Sequence, residues 1–168
     1  MFTRNIMDSQ IRFLRPDQTI AQAVRAFEQE GKAGGKKIFG MMVIDEQDRL
    51  CGMLSMYDIL RYIRPKHIGI LGQMGDLSYE PVFAGMRDRV RQVRVADLMT
   101  GDLVFVTPDT HVLVTVDLMV KKHIRRLPVV AENRVVGILY RSDVFHFLMG
   151  QLAGETEGGQ AEVDDGGL

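Results

Sequence analysis

At 168 residues the chain can bury one ordinary core, or two small cores fused into one unit. Its 21 lysines and arginines against 22 aspartates and glutamates leave a net charge of −1, which argues by bulk electrostatics against a strongly basic nucleic-acid binder. The single cysteine, Cys51, excludes an internal disulfide, fits a reducing compartment and, lying in an apolar strand, reads as a small core residue.

The first ten residues, MFTRNIMDSQ, lack the apolar core of a signal peptide, and no apolar run approaches bilayer length. A soluble, cytoplasmic protein without membrane contact is expected. Residues 5–16 (NIMDSQIRFLRP) return as residues 97–108 (DLMTGDLVFVTP) at an offset of 92, pairing Met7 with Met99, Phe13 with Phe105 and Pro16 with Pro108. Self-similarity of this kind outweighs any single motif. In each copy a short apolar strand leads to a Pro-Asp pair that can start a helix. Thr19 and Gln22 have capping-box spacing, and Ile20, Val24 and Phe27 predict one helical face, matched by Val112, Val116 and Met119.

The first copy holds seven extra residues. Six fall in residues 31–37 and one in the hairpin near residues 45–48. The Gly-Lys run at 31–37 lacks the Gly-Lys-Ser/Thr ending of a Walker loop and reads as a surface loop offering Lys36 or Lys37 to a phosphate. Residues 43–62 then give strand, polar turn, strand, Gly52 and a helix opened by Asp58, with Ser55-x-x-Asp58 at capping-box spacing.

Residues 64–94 form the connection between the copies. Val82, Met86, Val90 and Val93 predict an extra helix there. The bases from Arg61 to Arg94 (Arg61, Arg64, Lys66, Arg87, Arg89, Arg91, Arg94) read first as a solvated face and second as a patch for an anionic partner. Nucleic acid ranks low, because the only aromatics nearby are Tyr62, Tyr79 and Phe83.

Residues 126–147 (RLPVVAENRVVGILYRSDVFHF) repeat the strand, turn, strand, glycine and helix order, with Gly137 answering Gly52 and Asp143 answering Asp58 at an offset of 85. Each glycine lets the backbone come close to something. Each helix N-terminus, with its unpaired N–H groups, can hold a phosphate or a sugar. The helix before this stretch ends in Lys121-Lys122-His123, and with Arg125 and Arg126 these residues form the densest basic cluster, read equally as a phosphate wall or a solvated helix end. His67, His111, His123 and His146 show no metal-ligand spacing, so no metal is expected. No Ser-His-Asp or Cys-His order is legible, which argues against an enzyme. The last nineteen residues carry five acids and no base, an expected disordered tail that leaves the body at +4, from 21 − 17.

The ordered set, occurring twice over residues 6–149, resembles the CBS domain, and the tandem arrangement resembles a Bateman module. The resemblance implies an α/β (α+β) fold of two β-α-β-β-α repeats packed with pseudo-twofold symmetry. Repeat 1 covers residues 1–63, the linker 64–94, repeat 2 residues 95–149 and the tail 150–168. It implies two clefts for an adenine nucleotide (AMP, ADP or ATP) as a regulatory ligand, a flat homodimer, and a regulatory rather than catalytic role exerted on a separate protein. The alternative is a structural dimerisation scaffold without ligand. By resemblance the ribose ligands are Asp58 with Ser55, and Asp143 with Tyr140 at the serine position. The adenine pocket falls at Val106, Thr107, Arg126, Leu127 and Pro128.

Ser55 and Asp58 fit a structural cap as well as a ribose site, and the residues leave both open. Tyr140 cannot act as a compact cap, which weakens that explanation for Asp143, while Arg141 and Ser142 keep a phosphate-friendly pair beside it. Asp143 is therefore expected to be the better ribose ligand. Tyr140 stacks on a base or blocks its cleft.

Overall fold

The computed structural model describes residues 1–33, 38–66 and 79–154. After a 3-10 turn at Thr3–Asn5, repeat 1 runs β1 (Phe13–Leu14), α1 (Ile20–Ala33), β2 (Gly40–Ile44), β3 (Leu50–Ser55) and α2 (Met56–Ile63). The connection supplies α3 (Glu80–Gln92), and repeat 2 opens with the short α4 (Val95–Leu98). It continues through α5 (Val112–Lys121), β4 (Arg126–Ala131), β5 (Arg134–Tyr140) and α6 (Arg141–Ala153). Lys36, Lys37 and His67 lie outside the described residues, as do the acids of the tail.

The two sheets are built alike. β1 runs parallel to β2, and β2 antiparallel to β3. In repeat 2 the first strand shrinks to Val106, which donates to the Pro128 carbonyl at 3.0 Å and accepts from Val130 at 2.8 Å, making a parallel bridge to β4. β4 then pairs antiparallel with β5. Pro128 was expected at a strand edge or start; it is the third residue of β4 and fully buried. Its ring nitrogen shares a side with its carbonyl, where the bridge to Val106 uses only the carbonyl, so no ladder bond is lost.

The hairpins show the one-residue insertion. Glu132 (φ 49°) and Asn133 (φ 64°) form a two-residue turn with both residues left-handed, the conformation that matches the strand twist. In repeat 1 the Asp45 N–H meets the Arg49 carbonyl at 3.0 Å around residues 46–48, closed by left-handed Asp48 (φ 60°).

Helix α1 is capped as expected: Gln22 Oε1 accepts the Thr19 N–H at 2.8 Å and Thr19 Oγ1 accepts the Gln22 N–H at 3.2 Å. Its inner face differs by one position. Ile20 and Ala23 are fully buried with Phe27 packed beside them, whereas Val24 is 42% exposed. The core selects the i, i+3, i+7 stripe, and in α5 the same stripe is Val112, Thr115 and Met119, with Val116 half-buried on its flank. Buried Thr115 is satisfied by Thr3 Oγ1 at 3.2 Å, which also reaches the Thr110 carbonyl at 3.0 Å. The expected extra helix is present as α3. It packs on α1, and Arg89 donates to the Ile63 carbonyl at the end of α2 at 2.6 Å.

Each repeat borrows its entry from the other. Asp8 exchanges two backbone hydrogen bonds with Ile138 of β5, at 2.8 and 2.9 Å, and Thr100 does the same with Met53 of β3, at 3.0 and 2.9 Å. This is what comes close to Gly137 and Gly52: protein backbone. Ile6 and Met7 complete the core of repeat 2, while Val95, Leu98 and Met99 complete that of repeat 1. A third cluster of Met42, Ile44, Val135 and Ile138 joins the two sheets. Cys51 packs half-buried against the first core, and burial pushes its thiol pKa up. The tail begins later than expected, since α6 runs through Gly150 to Ala153 and stops at left-handed Gly154 (φ 75°).

Candidate functional site

The N-terminus of α2 carries a reciprocal cap. The Ser55 N–H and hydroxyl both donate to Asp58 Oδ2, at 2.8 and 2.6 Å, and Ser55 Oγ accepts the Asp58 N–H at 3.2 Å. All of these bonds use one carboxylate oxygen and one side of the serine. Oδ1 has no partner among the described residues and is left to accept from a ligand.

Ser55 and Asp58 open onto a cavity of about 770 Å³ between the repeats. The same cavity is lined by Lys122, His123 and Arg125 from the turn between α5 and β4, and by Arg126, the first residue of β4. That turn is thrown toward the cleft by left-handed His123 (φ 53°), which follows the end of α5. Lys121 of the expected basic cluster points elsewhere and pairs with Asp117 at 2.8 Å. Apolar lining comes from Leu103, Val104, Ile124, Pro128 and Phe39, and Asp102 adds a second carboxylate.

Arg126 lies across the boundary between the repeats. Its Nη1 would stand 2.5 Å from a Cβ on Gly40, so the guanidinium rests on glycine backbone. No carboxylate pairs with it among the described residues. Burial lowers its pKa; Tyr140 and Asp58 work against that shift and Arg125 adds to it. Its strand partner Tyr140 is packed against the inter-sheet cluster, and burial first, then Asp8, pushes its phenol pKa up.

The residues expected from the sequence divide into four groups. Ser55, Asp58, Arg126 and Pro128 line the cavity between the repeats. Tyr140, Arg141, Ser142 and Asp143 gather at the N-terminus of α6 and do not line it. There Tyr140 provides no side-chain cap, and the Asp143 carboxylate receives one long bond, from the Ser142 hydroxyl at 3.4 Å. Val106 and Leu127 put their side chains into the core of repeat 2. Thr107 is engaged in the turn before α5, its N–H on Thr110 Oγ1 at 3.0 Å. Phe39 and Asp102 were not anticipated. The signal for Phe39 was the repeat itself: at the offset of 86 that holds before the hairpin, it is the counterpart of Arg125.

Among the described residues no group of three or more histidines, cysteines or carboxylates is placed to hold a metal ion. Among them, too, no helix is long and apolar enough to cross a membrane.

Residues 4–65 and 95–150 match the family model of the CBS domain. The CBS domain-containing protein YhcV of Bacillus subtilis is 27% identical over 155 residues, covering 92% of this chain and 89% of that protein. Among solved structures, the CBS-pair protein CBSX2 from Arabidopsis thaliana, in its complex with AMP, aligns with a TM-score of 0.65 at 22% identity, over 90% of this chain and 98% of that one. The cytosolic domain of the Mg2+ channel MgtE, in complex with ATP, aligns with a TM-score of 0.64 at 24% identity, over 87% of this chain and 48% of that one. The swapped entry segments, the two sheets built on the same plan and the match in both halves lead to one conclusion: the chain belongs to the CBS-domain family and carries two copies of that domain in tandem.

Proposed function

We propose that this protein is a non-catalytic regulatory module that binds an adenine nucleotide, AMP, ADP or ATP, between its two CBS repeats and passes the resulting change to a separate protein. The observation that carries this reading is that one cavity of about 770 Å³ is lined both by Asp58, whose Oδ1 has no partner among the described residues, and by the cations Lys122, Arg125 and Arg126. A carboxylate accepts from the two hydroxyls of a ribose, and cations with a helix N-terminus favour phosphate. The size lies within the range of small-ligand sites. Complexes with AMP and ATP in two proteins of the same fold support it. Asp143, whose carboxylate is hardly committed, is the ribose ligand of the second cleft.

Self-association into a homodimer is part of the proposal. Leu113 (62% exposed), Phe145 (54%) and Leu152 (78%) on α5 and α6 are the apolar surface that supports it.

Thermal melting of ligand-free protein with AMP, ADP and ATP is the test. A ligand at a hundredfold excess over its dissociation constant adds about 2.7 kcal/mol of stability. Unmoved melting with all three rejects the sensor. It would leave the ligand-free scaffold, which the engagement of Asp58 Oδ2 by Ser55 favours.

A further inference from the structure

We infer that Phe39 is the base-stacking residue of the Asp58 cleft, so that the cleft prefers ligands with an aromatic base over sugar phosphates or polyphosphates. The inference rests on the nucleotide reading above and deepens it.

Phe39 is 53% exposed, although Gly40 to Ile44, which follow it, are all buried. Unlike the other exposed phenylalanines, this ring lies on a concave wall, in a cavity it lines together with Ile124 and Pro128, where a planar base can reach it. The backbone holds it there. The Phe39 carbonyl accepts the Met56 N–H at 3.0 Å, at the first residue of α2, and Gly40 is already paired with Ser55 across β2 and β3. The Phe39 backbone, and with it the root of the ring, is thus held beside the Ser55–Asp58 cap.

Three kinds of recognition group meet in this cleft, each from a different segment: the π face of Phe39, the unpaired guanidinium of Arg126 and the free oxygen of Asp58. A sugar phosphate engages the last two. A nucleotide engages all three, and stacking on an aromatic ring serves any base. Tyr57 also lines the cavity but is 71% exposed on the first turn of α2, and it provides the control.

The chain contains no tryptophan, so Phe39→Trp places the sole indole on this wall. AMP, ribose 5-phosphate and tripolyphosphate are titrated into the full chain by calorimetry and, for Phe39→Trp, followed by indole fluorescence. AMP is expected to change the fluorescence and ribose 5-phosphate to leave it unchanged. Phe39→Ala weakens AMP roughly 5- to 150-fold, the usual loss for one stacked base, and leaves ribose 5-phosphate binding as it was. Its ligand-free melting, read alongside, establishes that the variant is folded. Equal losses for AMP and ribose 5-phosphate, an undiminished affinity for AMP, or the selective loss appearing in Tyr57→Leu instead would each overturn the assignment. Wild-type protein that binds ribose 5-phosphate as tightly as AMP overturns the stacking alone. Wild-type protein that binds none of the three probes overturns the stacking, and if AMP, ADP and ATP also leave its melting unmoved the nucleotide reading falls with it.

Discussion

Met7 and Gly137 are packed so closely that a Cβ on the glycine would stand 2.9 Å from the methionine Sδ and 3.0 Å from the Asp8 carbonyl oxygen. Gly52 stands in the same relation to Met99 and Thr100, at 2.7 and 2.8 Å. A thioether can swing aside. Asp8 and Thr100 cannot, since each is tied by two backbone bonds to the strand it crosses. Gly137→Ala and Gly52→Ala should each destabilise the protein by about 1–3 kcal/mol, as overpacking does, with Gly52→Ala the worse. Urea unfolding midpoints measure this, and an unchanged midpoint for either variant contradicts the packing described.

The two helix N-termini should respond differently to truncation. Ser55→Ala removes a working cap and should cost about 0.5–2 kcal/mol of ligand-free stability. Asp143→Ala removes a carboxylate that caps nothing and should cost only its interaction with the helix dipole, about 0.3–1 kcal/mol. Denaturant melts of both variants decide it.

Lys122 and Arg125 are exposed on the cationic wall, so each contact they make with a phosphate is screened by solvent. Lys122→Ala and Arg125→Ala should each weaken ATP by about 0.2–1 kcal/mol, the range of exposed ion pairs, and weaken AMP less. The difference between ATP and AMP should shrink as salt rises. Calorimetric titration at two ionic strengths tests this; a difference that survives high salt places the extra phosphates elsewhere.

Asp45 sets an acid limb. The Arg49 backbone N–H, foremost, holds its carboxyl below the usual carboxylate range, and the Arg49 side chain and Gln47 N–H act in the same direction, while desolvation opposes them. With the folded pKa below the unfolded one, the stabilisation is complete above the unfolded pKa and disappears as pH falls through the folded value. Asp45→Asn should therefore be less stable than the parent at neutral pH, and the gap should close in acid, below the ordinary carboxylate range. A pH series of urea midpoints measures it; a gap that does not change with pH assigns the role of Asp45 to shape alone.

The duplication carried most of what could be read from the residues. Offsets of 92, 86 and 85 located both hairpins, the insertion and the counterparts Gly52 and Gly137, because a strand, turn and strand must keep its internal spacing to keep one face buried. Local spacing does not say which copy a segment packs on. Asp8 pairs with Ile138, and Thr100 with Met53, contacts across more than forty residues that leave no periodic trace. The site inherits the same limit. Ser55 and Asp58 were legible as neighbours on one helix turn, yet the cations that line the same cavity come from residues 122–126. Arg126 and Asp143 lie seventeen positions apart in one repeat and still serve different surfaces, because β4 delivers Arg126 over Gly40 of the other repeat. Val24 failed for a smaller reason: i+3 and i+4 positions are both compatible with an apolar flank, and only the neighbouring strand chooses between them.

The exchange of entry segments makes the tandem pair the smallest unit in which both cores are complete. A fragment starting at Val95 would lack Met7 and Asp8 and expose the Ile138 edge of its sheet; a fragment ending before Val95 would lack Met99 and Thr100 and expose the edge at Met53. Removing either half strips the other of core residues and of two backbone hydrogen bonds.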